Sequence, residues 1–197
     1  SAQSITVNSL IRIGSGIFGG ERKSCPEVLR TLKKTKELNL NGGTFEYILV
    51  GDLMPITTLD WIESLSLNGQ TGITDITTLK KMNLKTIDIA GTGIGDISQL
   101  RLLPVLEELS IRVRSFDHFR DLGRLTKLKK LNISSGSSMY FKALASLKNL
   151  QSLKISVPGR AKLDSLDALN SLTSLTITGG QIDARERHSS GENQCGR

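Results

Sequence analysis

Few residues in this chain have the type and spacing to do chemistry. Gly14-Ser15-Gly16-Ile17-Phe18-Gly19 spells G-x-G-x-x-G between an apolar, strand-like segment and a helical one. That arrangement would suit a dinucleotide, whose pyrophosphate rests on the N-terminus of the following helix. The surroundings do not complete it. Six residues, Gly20 to Cys25, intervene before Pro26 opens the helix-like PEVLRTLKK, and the next strand ends on Asn41 where an acidic ribose ligand is needed. A nucleotide-binding enzyme built on Gly14–Gly20 is therefore the remote alternative. His118 and His188 are the two histidines, and Cys25 and Cys195 the two cysteines; His118 has no nearby Cys or paired carboxylates at site spacing, and His188 with Cys195 lacks a second pair of ligands. They form no catalytic or metal-ligating set, so neither catalytic residues nor cofactors are assigned. What remains is a cationic group with one aromatic: Arg112, Arg114, Lys130, Lys154 and Arg160, with Tyr140. Such a group suits recognition of an acidic protein surface, because interfaces anchor on Arg and Tyr.

The elements that carry these residues follow from a repeat. From Leu84 to Ser171 the pattern L-x-x-L-x-I recurs every 22 residues, with apolar residues again at the eleventh, fourteenth, seventeenth and twentieth places. The fourth place reads Ile87, Leu109, Leu131, Leu153, and the seventeenth Leu100, Leu122, Leu144, Leu166. A fixed period of this size marks a stacked solenoid, in which each turn buries its apolar face on its neighbours. The pattern resembles the leucine-rich repeat family, in particular the short class of internalins and of the leucine-rich regulator of type 1 protein phosphatase. The internalin I-x-D-I signature is echoed in Ile73-Thr-Asp75-Ile76 and Ile94-Gly-Asp96-Ile97.

The resemblance implies an α/β leucine-rich repeat solenoid: a right-handed superhelix with a curved parallel sheet on its concave face and short helical or 3₁₀ pieces on its convex face. Residues 1–182 form about eight turns. The first two are longer, with Ile11, Leu38 and Leu65 in equivalent places 27 residues apart, and residues 183–197 are a polar tail. The functional implication is a non-enzymatic protein–protein interaction module. Its alternatives are a pathogen surface or effector protein binding a host factor and a regulatory-scaffold fragment of a larger protein.

Reading by column separates structural from functional demand. Places four and six are Leu or Ile and belong to the core. The second place runs Lys36, Glu63, Lys85, Glu107, Lys129, an alternation that gives each charge an opposite neighbour in a parallel ladder; Glu108 and Lys130 repeat it at the third place. The ninth place, Asn in the family, is Gly43, Gln70, Thr92, Arg114, Gly136, Pro158, Gly180, so an ordinary asparagine ladder is not expected. The eleventh place loses its apolar residue at Ser138 and Arg160, which is read either as a solvated bulge or as an edge reshaped for a partner spanning Leu106 to Ser171.

Composition bounds the rest. Hydrophobic residues make up 38% and aromatics 4%, which suits a narrow aliphatic core. Of the net charge of +7, +4 falls within residues 1–37, so there is no dense basic stripe for nucleic acid. No apolar run reaches the ~18 residues of a membrane span. Unclustered cysteines and the lack of a visible signal peptide favour a cytoplasmic location, with a bacterial or parasite surface as the other expectation. The tail offers no apolar cap, so the sheet is expected to end on an open edge near Leu175, as in a piece of a longer chain.

Overall fold

The computed structural model describes residues 3–6, 35–41, 53–113, 119–136, 139–162, 166–179 and 181–183. Its strands are β1 (Gln3–Thr6), β2 (Thr35–Asn39), β3 (Ser64–Ser66), β4 (Thr86–Asp88), β5 (Glu108–Val113), β6 (Lys130–Ser135), β7 (Met139–Tyr140), β8 (Ser152–Ser156), β9 (Arg160–Lys162), β10 (Ser174–Thr178) and β11 (Gln181–Asp183). Eight of them form one parallel sheet in the order β1-β2-β3-β4-β5-β6-β8-β10, one strand per turn. The register holds the apolar columns level: Leu38, Leu65, Ile87, Leu109, Leu131, Leu153 and Leu175 stand side by side across seven strands.

The repeat dictates this packing. Side chains of a strand alternate between faces, so places four and six of each turn point to the same side. Ile87, Leu131, Ile133, Leu153 and Ile155 are almost fully buried there. The return path brings the seventeenth and twentieth places, Leu100, Leu103, Leu122, Leu144 and Leu147, against them from the opposite wall. Each buried aliphatic contributes roughly 1.5–3 kcal/mol of transfer free energy. Twenty-two residues leave room for little else on the return. The convex pieces are 3₁₀ turns at Met54–Thr58, Thr77–Lys81, Ile97–Leu102, Phe141–Ser146 and Leu166–Ala168, and a single α-helical turn at Phe119–Leu122. The two I-x-D-I aspartates act alike but from different places: Asp96 is the N-cap of its 3₁₀ turn and accepts from the Ser98 N–H, and Asp75, one residue before the Ile76 cap, accepts from the Thr77 N–H. Those bonds from Thr77 hold the Asp75 carboxyl below its usual range.

Two expectations need correction. Ile5, rather than Ile11, stands opposite Leu38, so the first spacing is 33 residues rather than 27. Ile11, Ile13, the helix-like Pro26–Lys34 and the tail from residue 184 lie outside the described residues. The edge at Arg160 is also not simply bulged, and Ser138 lies outside the described residues. β7, β9 and β11 form a second, three-stranded parallel sheet beside the loops. In it Met139, Ala161 and Ile182 share one row, and Arg160 stands beside Gln181. The apolar row of the eleventh place is thus displaced by one residue in these turns, because the link from β8 to β9 is one residue longer than that from β10 to β11. The β10 end fits the expected open edge: Leu175, in the core column, is 44% exposed, whereas its neighbour Leu153 is buried.

Candidate partner-binding face

The outer face of the eight-stranded sheet carries places three, five and seven. Its rows are fixed by the register: Thr86, Glu108, Lys130 and Ser152 in one, and Asp88, Ser110, Asn132 and Lys154 in the next. Arg112 lies opposite Ser134, which lies opposite Ser156. These short polar side chains leave a shallow depression of about 250 Å³ over β4, β5, β6 and β8, with Asp88 and Glu108 on one side and Lys130 and Lys154 on the other.

Ion pairs consume much of the charge around it. The Lys130 ammonium lies 2.6 Å from Glu108, and that hydrogen bond raises the Lys130 pKa. In the second-place column Glu63 takes Lys36 at 2.5 Å and Lys85 at 2.7 Å, while Glu107 takes Lys129 at 2.9 Å. Hydrogen bonds from Lys36 and then Lys85 draw the Glu63 carboxyl down from 4.5 to about 2. The alternating column thus forms the pairs its spacing suggests. Asp88 is held differently. One carboxylate oxygen accepts from the Ala90 N–H and the other from the Asn68 side-chain amide, both neutral donors. Among the described residues Asp88, Arg112 and Lys154 have no ion-pair partner, and the side chains of Arg112 and Lys154 are exposed.

No family model matches the chain, and no curated protein matches it in sequence. Solved structures are similar to it. Internalin C2 of Listeria monocytogenes aligns at 26% identity and a TM-score of 0.53, over 76% of this chain and 64% of its own. The internalin InlF of the same organism aligns at 23% and 0.54, over 90% of this chain and 56% of its own. A leucine-rich repeat protein of Leptospira interrogans aligns at 17% and 0.55, over 80% or more of this chain (81%) and 47% of its own. The chain spans less than two thirds of each. The chain is a leucine-rich repeat solenoid. The sheet order runs strictly with the sequence, so the switch point at which a doubly wound sheet binds a dinucleotide does not exist among the described strands. The Gly14–Gly19 motif, His118, His188, Cys25 and Cys195 lie outside the described residues.

As a leucine-rich repeat it solves the missing ninth-place asparagine in two ways. The Gln70 side chain, buried to 7% exposure, reaches back one turn and donates from Nε2 to the Leu40 carbonyl at 2.6 Å. Thr92, also buried, donates to the Ile89 carbonyl of its own turn. Asparagines do serve as ties, but two columns earlier: Asn41 Oδ1 accepts from the Ser66 hydroxyl and the Asn68 N–H, and Asn68 continues to Asp88. Asn41 and Asn68 at the seventh place could have been found by asking which polar column recurs, rather than whether the ninth did.

The six residues singled out in the sequence fall into two groups. Arg112, Lys130 and Lys154 stand on the large sheet, Lys130 already paired; Tyr140 and Arg160 stand in strands of the small one. Arg114 lies outside the described residues. The residue the sequence reading overlooked is Asp88, which closes the depression opposite Lys154. No helix among the described residues is long and apolar enough to cross a membrane.

Proposed function

We propose that this leucine-rich repeat chain is a protein-interaction module whose partner docks on the turns from Leu106 to Ser171. Arg112 and Lys154 on the outer sheet face serve as its anchors, with Tyr140 and Arg160 in the adjoining small sheet extending the contact. The observation that carries this reading is two exposed cations with no ion-pair partner among the described residues, Lys154 lining the depression and Arg112 further along β5, on a face whose other cation, Lys130, is already neutralised by Glu108. Among the described residues the buried columns account for the packing and no ion pair engages Arg112 or Lys154, which leaves their charge for a partner with an acidic patch. The test compares the immobilised chain with its Arg112→Ala/Lys154→Ala variant in quantitative capture followed by mass spectrometry. A captured protein lost from the variant, and lost from the parent at raised salt, supports the reading. Equal capture by both places the docking face elsewhere.

The likeness to the Listeria internalins supports a narrower second reading, a bacterial surface or effector module that binds a host factor. The gene's flanking sequence separates it from a scaffold fragment: a wall anchor or secretion signal supports it, and a fused intracellular catalytic domain overturns it.

A further inference from the structure

On the third-place row Glu108 and Lys130 are adjacent and neutralise each other at 2.6 Å. On the fifth-place row the acid and the base are kept apart: Asp88 on β4 and Lys154 on β8 are separated by Ser110 and Asn132, both short and neutral. Three strand intervals of about 4.8 Å put their backbones roughly 14 Å apart, too far for a mutual salt bridge. Both line the depression. A uniformly acidic partner would suit Lys154 and be repelled at Asp88, and a uniformly basic one the reverse.

We infer that the depression takes an extended, two-signed segment of the partner protein, laid across the strands with a Lys or Arg over Asp88 and an Asp or Glu over Lys154. The inference rests on the interaction-module reading and refines its acidic patch into a charge pair of fixed spacing. An extended chain rises about 3.3 Å per residue with alternate side chains on one face, so charges four residues apart share a face and span about 13 Å. The matching pattern is therefore a base and an acid separated by three residues. Ser110 and Asn132 between them offer hydrogen bonds to the segment's backbone. Either chain direction satisfies the pattern. Direct charge-pair contacts of this kind set specificity more than affinity.

The probe is a displayed library of random peptides selected on the intact chain at low salt, read by sequencing. Peptides with a base and an acid four residues apart are expected to rise about fivefold over those with the same composition at other spacings. Two variants then separate the ends. Asp88→Asn keeps a carbonyl oxygen for the Ala90 N–H while removing the charge, and is expected to abolish the preference for the base alone. Lys154→Gln is expected to abolish the preference for the acid alone. Circular dichroism melts matching the parent show that both variants fold. Selected peptides that lack the spacing, or whose charges ignore both substitutions, overturn this inference and leave the interaction-module reading standing. A parent that enriches no peptide over an immobilised unrelated protein overturns both the outer-face reading and this refinement.

Discussion

Gln70→Leu removes one hydrogen bond and nearly nothing else. The side chain is buried, its Nε2 sits 2.6 Å from the Leu40 carbonyl, and Leu fills a similar volume. The acceptor cannot turn to water, because Leu40 is itself buried and its own N–H is engaged by the Ser66 carbonyl at 2.8 Å. Stranding a buried carbonyl costs about 1–3 kcal/mol. With a urea slope of about 2–3 kcal/mol per molar for a chain of this size, the unfolding midpoint is expected to fall by roughly 0.3–1.5 M. Gln151→Leu supplies the control, since Gln151 is exposed four turns away in the stack and its side chain ties no loop among the described residues. Chemical denaturation of parent and both variants at one temperature decides the matter. If Gln70→Leu and Gln151→Leu unfold together with the parent, the buried Gln70 amide is not what replaces the missing asparagine.

Position along the stack, rather than residue type, should set the cost of truncating the core column. Leu131→Ala, in the interior, is expected to lose about 2–5 kcal/mol, whereas Leu175→Ala, 44% exposed at the β10 end, should lose under about 1.5 kcal/mol; equal losses by denaturant melts would contradict the open end. A pH series tests the charge column. Because the Glu63 carboxyl is held at about 2 in the folded chain against an ordinary 4.5, its contribution is complete above about pH 4.5 and disappears as the pH falls toward 2. Glu63→Gln is expected to flatten that part of the melting-temperature profile at low ionic strength, and a profile parallel to the parent's would show the pairing to be inconsequential.

The columns were legible because each is a sum over several turns: one Leu at one place means little, but seven in register leave the core face no freedom. The charge pairs at Glu63, Glu107 and Glu108 were legible for the same reason. Features confined to one turn were not. The 27-residue spacing pointed to Ile11 for the first strand, and nothing local in the sequence favoured Ile5 before the register was known. The displacement that seats Ala161 rather than Arg160 beside Ile182 depends on a single residue in the link before β9, invisible to a reading that assumed a constant period. Asp88 carries no signal in the sequence that sets it apart; its isolation emerges once Lys130 is seen to be spent on Glu108 and Asp88 to be held by neutral donors alone.

The second-place column has a further implication for how such an array changes length. Backbone hydrogen bonds join Lys36, Glu63, Lys85, Glu107 and Lys129 in succession, so whichever residue follows is forced into the same spacing. The apolar rows repeat every turn, but the charges repeat every second turn. Excising residues 84–105 would restore every leucine contact and yet set Glu107 directly beside Glu63, with two carboxylates where one was shared by two lysines. Excising two consecutive turns would return opposite signs to contact. Recombination between turns therefore meets two periods at once, and the array is free to grow or shrink by pairs.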